Sequence, residues 1–443
     1  MKLIFLTPGT GNFHCGNCLR DNALAMALRR SGHEAMMVPL YLPMVTDHEE
    51  VDSNSPIFFG GLNVYLQHKS SVFRRSPAWL DRLLNARPLL RFAAGHSHMT
   101  QAAELGSITV SMLKGEEGRQ HKELDKLIAF LKTQPKPDAI CLSNALLIGL
   151  VRRLRHELEV PVLVTLQGED AFLDTLPEPH RTEAWGLMAE RAREVDAFVG
   201  VSRYYGGLMQ KRLGLTDGQM HTIYNGIDPS GYRPADKSPD PPVIGFLARL
   251  CPGKGPAALA DAFVELKKRG RHGSLKLHLA GAMTRGDEPY VQSIRRKLDA
   301  AGVGKDVQVS TNLSLEQKQQ YLRSLSVLSV PAMYGEAFGL YLLEAWASGV
   351  PVVQPRHGAF EELLTDTRAG ILCESDAPEP LADAIESLLD RPDHRAELGR
   401  LGREAVLERF NIDRMADQTL QLVEQLKTRP ATVPAKEEGD HGP

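Results

Sequence analysis

Short apolar runs alternate with amphipathic segments twice over in this chain, and that alternation constrains the fold more than any other feature. In the first half, strands are expected at Lys2–Pro8, Glu34–Leu40, Ile108–Leu113, Ala139–Leu142, Val160–Leu166, Ala197–Val201 and Thr222–Tyr224. In the second half they are expected at Val243–Leu247, Leu275–Ala280, Val307–Val309, Val327–Val330, Val350–Val353 and Gly370–Cys373. Runs this continuously apolar suit parallel strands buried on both faces. Helical patterns fall between them, at Leu19–Arg30, Glu123–Lys132, Glu183–Val195, Pro256–Arg269, Glu288–Ala301, Leu315–Leu325 and Leu340–Ala347, and Ser314 with Gln317 has capping-box spacing. Two βαβ series, each with its own core, imply two doubly wound α/β domains.

The 443 residues suit two domains. Asp228–Pro242 is rich in Pro, Asp and Ser and reads as a linker. The expected division is 1–228, a linker at 229–242, a second domain at 243–408, a closing helix at 409–426 and a disordered polar tail at 427–443. Residues 45–100 are the least legible stretch: Phe59–Tyr65 reads as a turn paired with a strand, and the basic-aromatic stretch to Phe92 looks like a helical insertion. Lys and Arg total 52 against 55 Asp and Glu, a net −3, which speaks against a nucleic-acid binder. No apolar window approaches a spanning helix, and the N-terminal run is too short for a signal segment. The expectation is a cytoplasmic protein, with peripheral contact at the inner membrane face left open. Five cysteines form no disulfide framework. Cys15 and Cys18 make a lone CxxC without the second ligand pair a zinc site needs, so no metal is assigned.

Two segments carry chemistry. In Tyr334–Ala345 a glycine, Gly339, stands between an expected strand and an expected helix. There the amides of Phe338, Gly339 and Leu340 would meet a phosphate at a helix N-terminus. Glu344 lies one turn into that helix, placed to accept from ribose hydroxyls, and Glu336 lies in the loop. Gly245–Gly255 again follows a strand and precedes a helix. Its Arg249 and Lys254 suit a diphosphate, although two cations beside a Gly/Pro turn can equally be ordinary surface charges. Tyr224–Asp228 alone is a turn.

Together these residues resemble glycosyltransferase family 4, over nearly the whole chain. Glu336 and Glu344 resemble the family's paired glutamates, Arg249 and Lys254 its diphosphate-binding cations, and Tyr224–Asp228 its interdomain stretch. Ala347–Val353 is similar to the run that follows the second glutamate. The resemblance is looser at the N-terminus. Cys15-Gly16 stands where the family has a Gly-Gly turn ahead of Gly32-His33, and Gly16 still allows close backbone approach. Gln167 replaces a histidine that contacts the donor sugar, so sugar positioning survives there and proton transfer does not.

The resemblance implies a GT-B fold, two Rossmann-like domains facing each other across a cleft. It implies a retaining transferase of the hexosyltransferase type that moves a sugar from a nucleoside-diphosphate donor to a glycan, lipid or small-molecule acceptor. Arg249, Lys254 and the amides at Phe338–Leu340 would stabilise the leaving diphosphate without metal or other cofactor, and Glu336 would touch the sugar. The Ser310–Leu313 loop would read the base through its backbone. Glu169, Asp170 and Asn225 are further candidates for sugar or acceptor contacts, with N-capping the alternative for the two acids. Two other readings stay open: a non-catalytic nucleotide-sugar binder, and a nucleotide-sugar epimerase of the same fold.

Overall fold

The computed structural model describes residues 1–9, 16–42, 56–60, 64, 66–68, 102–375 and 377–428. Cys15, most of the 45–100 insertion and the tail beyond Thr428 lie outside the described residues.

Two parallel sheets of six strands organise the molecule. The first runs β2-β1-β3-β4-β5-β6, with β1 Lys2–Thr7, β2 Glu34–Pro39, β3 Ala139–Leu142, β4 Val162–Leu166, β5 Ala197–Gly200 and β6 Met220–Thr222. The second runs β12-β11-β10-β7-β8-β9, with β7 Val243–Leu247, β8 Lys276–Gly281, β9 Val307–Thr311, β10 Val327–Leu328, β11 Val352–Pro355 and β12 Gly370–Cys373. In the second sheet the strand order reverses between β7 and β10, which pair directly. Loops leaving the carboxyl ends of two such strands open a crevice, the usual ligand position in doubly wound sheets. The loop after β7 carries Arg249 and Lys254, and the loop after β10 carries Glu336.

Both faces of the first sheet are buried, as the apolar runs required. Alternate residues Leu3 and Phe5 of β1 face one core cluster while Ile4 and Leu6 face another. The first of these clusters is completed from the far end of the chain. Ile412, Met415, Ala416, Leu422, Val423 and Leu426 of the helix Ile412–Thr428 pack with Leu24, Ala27 and Leu28 of the helix Gly16–Arg30. Lys427 also pairs with Asp138 at 2.7 Å. The closing helix therefore belongs to the core of the first domain. It extends two residues beyond the expected end, so Lys427 and Thr428 are helical rather than part of a tail.

Three expectations need correction. Ile108–Leu113 is not a strand but the end of the helix Ala102–Leu113. Gly106, Val110 and Leu113 are buried at helical spacing, and Gly106 lets His180 of the helix His180–Ala192 approach so closely that an added Cβ would lie 2.8 Å from it. A short β-branched apolar run cannot distinguish the two periods by itself. The last strand of the first sheet is Met220–Thr222 rather than Thr222–Tyr224, because Phe198 and Gly200 of β5 register with Met220 and Thr222. The stretch 229–242 is also more than a spacer: Tyr232 is buried and its carbonyl accepts from Arg403 at 3.0 Å. Among the described residues no helix is long and apolar enough to cross a membrane.

Candidate functional site

The site is a cleft between the two sheets. Gly16, Arg20 and Ala23 line it from the first domain, and Arg249, Lys318, Leu340 and Glu344 from the second. Two helix N-termini meet here. The helix Gly16–Arg30 starts at Gly16 and the helix Leu340–Ala347 at Leu340, and a Cβ on Gly16 would stand 3.7 Å from the Leu340 side chain. Free amides and aligned peptide dipoles make each start favourable to an anion. Gly339 opens the second helix with φ +88°, a left-handed turn that an L side chain adopts only under strain.

The cations and carboxylates picked from the sequence are paired with one another or with partners the sequence did not announce. Lys254 Nζ lies 2.5 Å from Glu336 Oε2, and the Tyr341 hydroxyl donates to the same oxygen at 3.0 Å. Burial alone would lower the Lys254 pKa, and the adjacent Glu336 carboxylate together with the Tyr334 hydroxyl more than offsets it, holding the ammonium above its ordinary value. Glu344 accepts from Lys318 at 2.6 Å and from the Tyr232 hydroxyl at 3.2 Å. Arg249 reaches Asp287 at 3.1 Å while remaining half-exposed. The second-domain wall thus carries three cation–carboxylate pairs, with Leu340 and the helix start among them.

Across the cleft, Arg20 forms a buried pair with Asp21 at 2.8 Å and donates to Asn225 Oδ1 at 3.2 Å. Burial pushes the Asp21 carboxyl up against the opposing pull of Arg20 and Ser143. Asn225 therefore ties the first helix to the interdomain stretch and is itself buried. Gln167 donates to the Ser143 carbonyl at 2.7 Å. Glu169 is buried and accepts from the amides of Ala145, Gln167 and Gly168 and from the Tyr205 hydroxyl. It stands at the start of the short helix Asp170–Leu173 without capping it through its side chain. Asp170 Oδ1 lies 2.8 Å from the same Tyr205 hydroxyl, whose single proton the two carboxylates share. Glu169 and Asp170 are thus occupied by protein donors, and Glu169 has no face toward the cleft solvent.

The structure brings Gly16, Arg249, Leu340 and Glu344 to the cleft surface and sets Lys254, Glu336, Phe338 and Gly339 directly behind the helix start. It adds Arg20, Tyr232, Asp287 and Lys318, none of which carries a local motif. The nearest signal was Ser314 with Gln317, whose capping box is formed and orients the helix that presents Lys318.

Comparison with known proteins gives a consistent result. Residues 22–230 match the model of Glycosyltransferase Family 4, and residues 232–405 match that of Glycosyl transferases group 1. A D-inositol 3-phosphate glycosyltransferase 2 from Catenulispora acidiphila is 32% identical over 248 residues, 53% of each chain. The chain spans about half the length of the curated relatives it matches. Among solved structures, sucrose-phosphate synthase from Thermosynechococcus elongatus superposes with a TM-score of 0.71 at 19% identity, covering 96% of this chain and 99% of that one. The Anabaena protein HepE in complex with UDP-glucose superposes with a TM-score of 0.65 at 16% identity, covering 96% of this chain and 100% of that one. At these identities the structural likeness establishes the fold, which is GT-B.

Proposed function

The chain belongs to the family 4, group 1 glycosyltransferases, and from that membership we propose that it is a retaining transferase moving a sugar from a nucleoside-diphosphate donor to an acceptor held by the first domain. One observation carries the reading: two helix N-termini, the Arg249 cation and the Glu344 carboxylate line one interdomain cleft, with the Lys254–Glu336 pair behind the start of the helix Leu340–Ala347. The ribose engages Glu344, whose present partners Lys318 and Tyr232 yield or share it. The diphosphate lies against the start of the helix Leu340–Ala347. As the glycosidic bond breaks, charge grows on the leaving phosphate, and Arg249, Lys254 and the amides of Phe338–Leu340 stabilise it. Glu336 faces the sugar. Gln167 orients without proton transfer. The acceptor approaches on the leaving-group side, and closure of the cleft limits hydrolysis.

HepE was crystallised with UDP-glucose, so a UDP-sugar heads the donor screen. Two of the similar proteins are named for phosphorylated compounds, so a phosphorylated polyol or sugar heads the acceptor screen. Independence of metal and a cytoplasmic location are parts of the same proposal.

The test is release of nucleoside diphosphate from candidate donors in the presence of such acceptors. Acceptor-dependent release supports transfer. Binding without any turnover favours a non-catalytic nucleotide-sugar binder, and acceptor-free conversion of the donor sugar favours an epimerase.

A further inference from the structure

The loop that carries Glu336 is held from the opposite domain. Ser202, fully buried, donates its hydroxyl to the Ala337 carbonyl at 2.6 Å and accepts from the Tyr205 amide at 3.0 Å. One hydroxyl therefore caps the helix Arg203–Leu213 and grips the peptide next to Glu336. A second tie runs the other way. Glu362, on the helix Ala359–Thr367 of the second domain, accepts from the Arg203 amide at 3.0 Å and the Tyr204 amide at 2.9 Å. Asp366 on the same helix pairs with Arg203 at 2.8 Å.

These ties converge on one loop. The Ala359 amide donates to the Glu336 carbonyl at 2.9 Å, and a Cβ on Gly358 would come within 2.6 Å of the Glu336 amide. The helix that binds the first domain through Glu362 is therefore built directly onto the Glu336 backbone. Gly335 leaves room for the Tyr204 hydroxyl, which an added Cβ would overlap. A Cβ on Gly168 would stand 3.8 Å from the Ala337 methyl across the cleft.

We propose that Ser202 and Glu362 are positioning residues, a two-part clasp through which the first domain sets the Gly335–Gly339 loop in its working geometry. A loop carrying the sugar-facing carboxylate and the phosphate-facing amides is then complete only when the domains are together, which couples closure to assembly of the site. The inference rests on the donor reading for what the loop does, and on the contacts alone for how it is held.

Hydrogen exchange of the protein without added nucleotide tests the holding. Ser202→Ala and Glu362→Ala should each speed exchange across residues 335–340 at least about fivefold, the change expected from losing one hydrogen bond to the loop in the first and two interdomain hydrogen bonds in the second. Exchange in β7 and β10 should stay put, and Ser202→Thr should restore the wild-type rate. If Ser202→Ala does not fold, Glu362→Ala carries the test. Unchanged exchange at 335–340 in Glu362→Ala overturns the clasp, as does loosening confined to 203–213. With a donor that is turned over, kcat should fall at least about fivefold while donor KM stays within about threefold; a loss confined to KM also overturns it. Should UDP, GDP and ADP all fail to bind the wild type, the donor reading falls, and the exchange result still decides the clasp.

Discussion

Lys254 Nζ sits 2.5 Å from Oε2 of Glu336, with the Tyr341 hydroxyl on the same oxygen at 3.0 Å. The cation assigned to the diphosphate and the carboxylate assigned to the sugar are thus one pair, 82 residues apart in sequence. Burial opposes the Lys254 charge, and the neighbouring Glu336 carboxylate helps hold the ammonium above its ordinary value.

Lys254→Ala should therefore do two separable things. It should cut turnover about 10²–10³-fold, as loss of one preorganised charge does. It should also cost about 1–3 kcal/mol of stability, because Glu336 is 8% exposed and loses its counter-charge. Adding Glu336→Gln should recover most of the stability and none of the turnover. Denaturant unfolding beside a donor-consumption assay separates the two.

Arg249 gives the contrasting case. Its side chain is 48% exposed, and Asp287 keeps bonds to the Thr284 amide and hydroxyl without it. Arg249→Ala should lower turnover about 10²-fold while stability moves by no more than about 0.5 kcal/mol. A large destabilisation in the same unfolding assay would mean that Arg249 serves the fold instead of the diphosphate.

Gly339→Ala places a methyl 3.1 Å from Cζ of Tyr341 on a residue with φ +88°. The left-handed turn alone should cost about 1–2 kcal/mol. Relief by moving Tyr341 would release Glu336. Weakened nucleotide binding in calorimetry, exceeding that of Tyr341→Phe, is the expected result.

Acid should weaken the second domain through His278. Burial lowers this ring from 6.5 to about 4, and its Nε2 lies 2.9 Å from the Ser310 hydroxyl. Between those values the unfolded chain binds a proton that the folded chain refuses, so stability present above pH 6.5 is lost as pH falls toward 4. His278→Gln should flatten the fall in melting temperature across that window.

Much of this was legible in the sequence where local rules agreed with the fold. Helices Pro256–Arg269 and Leu340–Ala347 and strands Val243–Leu247 and Gly370–Cys373 have the expected ends, because Gly, Pro and apolar runs mark them. Glu336, Glu344, Arg249 and Lys254 were legible as residue types beside strand ends. Their partners were not. Lys318 is an ordinary charge on the helix Leu315–Arg323 until the sheet order brings it to the cleft, Asp287 is an ordinary charge in the turn before the helix Glu288–Ala300 until it meets Arg249, and Tyr232 sits in a stretch whose composition argues for a solvated linker. Glu169 misled for a related reason: a carboxylate before a helix suggests a cap, whereas its partners include Ala145 and Tyr205, contributed by distant segments. Ile108–Leu113 misled because six apolar-biased residues fit either period.

The decisive measurement is a thermal-shift panel of UDP, GDP, ADP and dTDP, with and without a divalent cation, on the wild type and Lys254→Ala. The predicted result is stabilisation by one nucleotide, about 2.7 kcal/mol at 100 times its dissociation constant, unaffected by the cation and reduced in Lys254→Ala. No shift with any of the four, or a shift untouched by Lys254→Ala, would contradict a diphosphate site at Arg249, Lys254 and the Leu340 helix start.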